Sequence, residues 1–224
     1  MGVPTVLDHV VLAGPELGAI VDGFERATGV RAAAGGRHPT GTANALVALT
    51  HRGARTRQYL ELIGPDAEAG FSADEVPRFG IDRLAAEGVD SQVVSFAIAP
   101  ASLEAAVVDA RAAGFAYGDP EPLSRATPDG RELAWRLALP EDERRPPFLI
   151  DWGATPHPAL EAALPTIELV ALRRLARDPA AEAARFAALG IEVGDGSGAL
   201  QVVGSEADGF ELEVAVGEGT IVIR

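Results

Sequence analysis

Apolar and polar positions along the chain fall into an order that returns three times. Residues 5–13, TVLDHVVLA, are a short apolar run between Pro4 and the breaker Gly14-Pro15, which predicts a strand. Leu17, Ile20, Val21 and Phe24 then recur at helical spacing, predicting a helix over 16–28 that stops at Gly29. GGRHPTGTA reads as a loop. ALVALT (45–50) and RQYLELIG (57–64) read as strands joined around His51-Arg52-Gly53, with His51 exposed in the turn. With one short strand before them, residues 5–64 run strand, helix, strand, strand, strand.

A connection over 65–90 follows, with an acidic, solvated stretch DAEAGFSADE and a short helix at 81–88 ended by Gly88. The order then returns. SQVVSFAIA (91–99) is a strand, and 101–113 is a helix that Ser102 can cap and Gly114 closes. RELAWRLAL (131–139) and PFLIDW (147–152) are strands. A third round begins with TIELVALRRLA (166–176) and a helix over 178–190, with Pro179 in its first turn and Gly190 at its end. Short strands IEV, ALQVVG, FELEVAV and TIVIR complete the chain.

The repeats share element order and the helix endings ATG, AAG and ALG more than sequence. One helix to several strands predicts an α+β fold of antiparallel curved sheets with helices on one face. The domain reading is a first βαβββ module at 5–64, a linker at 65–90, a second module at 91–160, and a third, whole or partial, at 166–224.

Composition narrows the function. With 224 residues the chain is long enough to bury a substantial core. It has no cysteine, which excludes disulfides, thiolate metal sites and a cysteine nucleophile. Every basic residue but the four histidines is arginine, so Schiff-base chemistry and a lysine phosphate loop are excluded. A net charge of −14 disfavours nucleic acid. No apolar run reaches the roughly 18 residues of a membrane span, and no basic-then-apolar leader opens the chain. The expectation is a soluble cytoplasmic protein, with no membrane partner, acting on a small molecule as a monomer or homodimer.

Several positions stand out against this background. Asp8-His9 interrupts an apolar strand, where a histidine needs a partner or a task. Glu61 sits in LELI with apolar residues on both sides, and a buried carboxylate needs a cation, a metal or donors; Arg55 and Arg57 are the nearby cations. His38, Thr40, Thr42 and Asn44 crowd into HPTGTAN, either as a polar lip or as turn chemistry. Trp135 and Trp152 suit a core or a cavity wall. Arg144-Arg145 reads as solvated. GDGSG (194–198) resembles a phosphate loop only superficially, since no helix follows it.

LDHVVL, the later RQYLELIG and the repeated βαβββ order resemble the vicinal oxygen chelate superfamily, which includes glyoxalase I, extradiol dioxygenases and the fosfomycin and bleomycin resistance proteins. GGRHPTGTANALVAL and PFLIDWG followed by His157-Pro158 are similar to bacterial glyoxalase-like domain proteins. The resemblance implies that two modules pair as curved half-barrels around a cavity. Metal ligands then stand on the first and last strands. His9 matches the first-strand ligand and Glu61 the last-strand ligand. In the second module Ser95 occupies the histidine position and Ile150 the glutamate position, with Asp151 one place on, where strand alternation turns it the other way unless a bulge intervenes. His38 is a candidate third metal ligand and His157 a fourth.

The resemblance therefore implies a protein that binds a small oxygen-rich molecule between modules. One reading adds a divalent ion (Zn, Mn, Fe, Ni or Co) on His9, Glu61 and His38, with Glu61 and His9 catalytic in lyase, isomerase or dioxygenase chemistry. The other is metal-free sequestration without turnover. In both, His38, Thr42, Asn44, Ser95, Trp135, Asp151, Trp152 and His157 are the candidate ligand-binding residues.

Overall fold

The computed structural model describes residues 7–142, 147–193 and 200–224. The chain up to Asp151 forms two βαβββ modules. The first comprises β1 (Leu7–Ala13), α1 (Leu17–Thr28), β2 (Ala33–Arg37), β3 (Thr42–His51) and β4 (Ala54–Pro65). After a connection of short turns and α2 (Ile81–Glu87), the second comprises β5 (Gln92–Ile98), α3 (Leu103–Ala112), β6 (Glu121–Ala126), β7 (Glu132–Ala138) and β8 (Phe148–Asp151). β9 (Thr166–Ala176), α4 (Pro179–Ala188), β10 (Leu200–Gly204), β11 (Gly209–Val216) and β12 (Gly219–Ile223) follow.

Local chemistry accounts for the helix ends. Gly29 stops α1 at φ 74°, a left-handed geometry that costs glycine little. The Ser102 side chain accepts the Ala105 amide at the start of α3, and Asp178 accepts the Ala181 amide ahead of Pro179 in α4. The β3–β4 hairpin turns on Arg52 and Gly53, both with positive φ, as a two-residue turn between right-twisted strands requires.

Within each of the first two modules the last strand lies parallel to the first, β4 beside β1 and β8 beside β5. The antiparallel β1–β5 pairing joins the modules along one side, from Leu7–Ile98 to Ala13–Gln92. On the other side β2 meets β6 at a single residue pair, Arg37 with Ala126. The eight strands run β1-β4-β3-β2-β6-β7-β8-β5 and close on β1. The two half-barrels thus make one barrel, firmly seamed on one side and thinly on the other. The sheet is mixed rather than antiparallel, because a strand–helix unit followed by three strands brings the last strand back beside the first.

Strand alternation sorts side chains into two cores. Leu7, Val10, Leu12, Val47, Leu49, Leu60, Leu62, Phe96, Ile98 and Leu149 point outward, under α1, α3 and α4. Val11, Ala13, Leu46, Tyr59, Ile63, Trp135, Phe148 and Ile150 point inward with Ile81 and Leu84 of α2.

The third segment keeps the element order but pairs differently. β9 lies between β10, parallel, and β11, antiparallel, with β12 outside. β9 docks on β3 through Ala48–Thr166 to Thr50–Glu168, along the edge whose earlier part carries β2. Phe96 of the barrel meets Phe186 and Phe210 edge-on at 5.6 and 6.0 Å, so this segment shares the outer core.

Four details differ from the sequence reading, the first being that IEV (191–193) forms no strand. The GGRHPTGTA loop is mostly strand, because β2 extends to Arg37 and β3 begins at Thr42. β6, residues 121–126, lacks an apolar signature and is a strand nonetheless. His51 is half-buried rather than exposed, its Nδ1–H donating to the Leu169 carbonyl of β9 at 3.2 Å. Residues 194–198 and the Arg144-Arg145 pair lie outside the described residues.

Candidate active site

The inward faces of the barrel line a cavity open to solvent at its mouth. Its apolar wall is Ile63, Phe79, Leu123, Leu137, Phe148, Ile150, Trp135 and Trp152. Into this wall project His9, His38, Thr40, Thr42, Asn44, Tyr59, Glu61, Arg78 and Arg125. A mostly apolar cleft with a few convergent polar groups is the ordinary form of a small-molecule site.

His9 is placed by an irregularity in β1. The pairing steps from Leu7–Ile98 to His9–Ala97, leaving Asp8 as an extra residue in a bulge. The bulge allows neighbouring residues to work on one side of the sheet. The His9 Nδ1–H donates to Asp8 Oδ1 at 2.7 Å. Asp8 Oδ2 accepts from Trp152 Nε1–H at 3.1 Å and from His157 Nε2–H at 3.0 Å. His157 is held in that tautomer because its Nδ1 accepts the Ala159 amide. Burial pushes the Asp8 carboxyl up, but the hydrogen bonds and charges of His157 and His9 outweigh it and hold it well below the usual carboxylate range. The His9 ring stacks on Tyr59 with centroids 4.5 Å apart.

With Nδ1 engaged, His9 presents Nε2, which stands 3.6 Å from Glu61 Oε2. Glu61 pairs with neither Arg55 nor Arg57; Arg55 instead binds the carbonyls of Ala159, Glu161 and Leu164. Its other oxygen accepts from Asn44 Nδ2 at 2.5 Å, across the β3–β4 pair. An imidazole and a carboxylate, each fixed by a separate partner, therefore face each other inside the cavity. Burial, then the charges of Glu61 and Asp8, raise the Tyr59 phenol well above its ordinary value, so it stays protonated.

The HPTGTAN segment contributes alternate residues, His38, Thr40, Thr42 and Asn44, to the cavity. His38 Nδ1 shares a hydrogen bond with Thr42 Oγ1 at 2.8 Å, and its ring stands edge-on to Trp135. Burial lowers its pKa against the opposing field of Glu61, which keeps the ring neutral.

The remaining candidates stand apart from the cavity. Asp151 faces the outer layer. The β7–β8 pairing has no bulge, so Ile150 takes the inward position and Asp151 points out to bind Arg136 at 2.6 Å. Ser95 is buried opposite Val11 but does not reach the cavity lining. His157 lies behind the wall, bound to Asp8. In the connection, Asp66 is buried and paired with Arg37 at 2.8 Å rather than solvated. Tyr59, Arg78, Phe79, Leu123, Arg125 and Phe148 also line the cavity, and the sequence reading did not single them out. The inward alternation Tyr59-Glu61-Ile63 was available in sequence for the first; Arg125 sits on the strand that carried no signal.

The donor set does not fit a tight divalent site. His9 and Glu61 converge, and Asp8 behind His9 is the kind of partner that orients a metal-binding imidazole. A third ligand is missing: among the described residues no three His, Cys, Asp or Glu side chains group around one point. His38 is therefore not assembled with His9 and Glu61. Transition-metal sites generally need three protein ligands. Arg125, which has no ion-pair partner among the described residues, lines the same cavity and further opposes a second positive charge.

A closed barrel of two βαβββ modules, with a first-strand histidine and a last-strand acid facing its cavity, defines a member of the vicinal oxygen chelate superfamily. The family described as glyoxalase-like domain matches residues 7–193, and the chain belongs to it. No curated protein matches the chain. Among solved structures, a hypothetical protein from Staphylococcus aureus is 12% identical at a TM-score of 0.66, covering 97% of this chain and 98% of that one. This likeness shows that the C-terminal segment is part of a shared fold. Methylmalonyl-CoA epimerase from Streptomyces coelicolor, in complex with 2-nitronate-propionyl-CoA, is 21% identical over 68% of this chain and 97% of its own, at a TM-score of 0.44. The Mycobacterium tuberculosis epimerase is 15% identical over 67% of this chain and 88% of its own, at 0.41. No helix among the described residues is long and apolar enough to cross a membrane.

Proposed function

We propose that the chain is an enzyme that binds a small oxygen-rich molecule in the barrel cavity and moves a proton on it, with Glu61 and His9 as acid and base. One observation carries the reading: two titratable groups 3.6 Å apart in a largely apolar cavity, each held by its own partner. A proton-transfer residue must first be in place and then have a suitable protonation state. Asp8 holds the His9 tautomer that offers Nε2 to the cavity, and Asn44 leaves one Glu61 oxygen free to reach a substrate hydrogen. The mostly apolar walls strengthen each electrostatic contact made against them. Tyr59, protonated, is a hydrogen-bond donor for a substrate oxygen. The missing third ligand favours chemistry that does not pass through a divalent ion.

Sequestration without turnover is the second reading, favoured by the aromatic wall of Trp135, Trp152 and Phe148. Hydrogen–deuterium exchange separates the two. Small 2-oxo and 2-hydroxy acids are incubated in D₂O with the protein and followed by proton NMR. The expected result is loss of the proton on carbon next to the carbonyl, slowed about 10²–10⁴-fold in Glu61→Gln and His9→Gln. Ligands that raise the melting temperature yet never exchange would replace this reading with sequestration.

A further inference from the structure

β6 is mostly exposed, and Arg125 is its one buried residue. Arg125 is 4% exposed and lines the cavity together with Leu123, its neighbour on the same face of the strand. Its Nη1 is buried with no hydrogen-bond partner, and among the described residues no carboxylate forms an ion pair with it. That is unusual, because a guanidinium out of water needs a counter-charge and acceptors for its donors. Glu61 is the carboxylate whose field reaches it, but Glu61 is bonded to Asn44. Arg37 and Arg136, by contrast, are paired with Asp66 and Asp151.

The backbone is shaped around this side chain. Gly36 of β2, across the thin seam, has φ 153°. A Cβ there would lie 2.1 Å from the Ala126 carbonyl oxygen and 2.8 Å from Arg125 Nη1. Only glycine lets the strand pass so close to the guanidinium.

We infer that Arg125 is the recognition point for a carboxylate on the ligand, so that the substrate class is a small organic acid. The inference rests on the cavity being the substrate site, and it names which oxygen-rich molecules enter. The guanidinium is a planar fork that matches a carboxylate with two parallel hydrogen bonds. A carboxylate supplies the counter-charge that the wall lacks and meets the orphaned Nη1. A phosphate dianion is a poorer match, since it brings a second negative charge into a cavity that already holds Glu61. Removing this interaction should reduce affinity for acids while leaving neutral analogues of the same shape untouched.

The test is calorimetric titration of the full chain with pyruvate, malonate and benzoate, each beside its neutral amide, and with inorganic phosphate. Wild type, Arg125→Met, Arg125→Lys and Glu61→Gln are compared. The inference expects at least one acid to bind wild type ten-fold or more tightly than its amide. Arg125→Met should abolish that preference and Arg125→Lys should restore part of it. Thermal melts check folding: a recognition residue leaves apo Arg125→Met at least as stable as wild type, whereas a structural one would not. Equal binding of acid and amide, retained acid binding in Arg125→Met, preference for phosphate over every acid, or no acid binding to wild type would each overturn it. Proton exchange in wild type, measured beside acid binding, keeps the two readings apart. If acids bind through Arg125 and no proton exchange occurs in wild type, the proton-transfer reading fails and the carboxylate site stands.

Discussion

Asp8 shows how much of the site rests on one buried side chain. It accepts from His9, His157 and Trp152, so Asn in its place removes the charge and turns one of the two acceptor oxygens into a donor that faces donors. Breaking a buried charged pair by removing one partner costs about 3–5 kcal/mol, and Asp8→Asn is expected to fall in that range in chemical denaturation. The sign of the pH dependence follows from the depressed carboxyl. Its stabilisation is complete above the ordinary aspartate value of about 4 and is lost as pH falls towards the folded-state value. The stability gap between wild type and Asp8→Asn should therefore be constant between about pH 5 and 7 and shrink below about 4. A gap that widens in acid would contradict the network. At this scale the sequence was informative about His9 and Glu61, because a polar residue inside an apolar run is visible without coordinates. It was silent on Arg125, since an arginine in EPLSRA resembles any solvated arginine until a neighbouring strand covers it. It also left Asp151 undecided, because only the absence of a bulge in β7–β8 turns it outward.

Strands were legible where apolar residues cluster, and helices where the 3.6-residue spacing meets a closing glycine. β9 begins and ends where its pattern does, and Gly29 and Gly88 both take left-handed conformations. β6 escaped because its outward side meets solvent, so its residues need not be apolar. The strand nonetheless carries Leu123 and Arg125 of the cavity lining and meets β2 at the thin seam. Gly36→Ala tests that seam. The clash with the Ala126 carbonyl is with backbone, which cannot rotate away, so a loss of about 1–3 kcal/mol is expected. The same variant should weaken acid binding, because Nη1 must shift. Unchanged melting and binding would mean that β2 and β6 do not approach so closely in solution.

Across the whole molecule the barrel and the C-terminal segment share one apolar core, although the segment lies outside the barrel's ring of strands. The repeated order suggested a third module, whole or partial; that segment pairs its first strand between two others and serves as a buttress on β3. Phe96 is the hinge of that packing, fully buried against Phe186 and Phe210. Phe96→Ala should cost about 3–5 kcal/mol and lower a single melting transition rather than split it in two. Two separated transitions would show that the segment folds on its own.

On the proposed function and the Arg125 inference together, the cavity serves an anion and a proton rather than a cation. The most direct measurement is calorimetric titration of chelator-treated protein with Zn and Mn ions, beside His9→Gln and Glu61→Gln. The predicted result is no tight stoichiometric binding in wild type and undiminished proton exchange without metal. Tight one-to-one binding that disappears in both variants would contradict it, and would restore a metal to the His9–Glu61 pair.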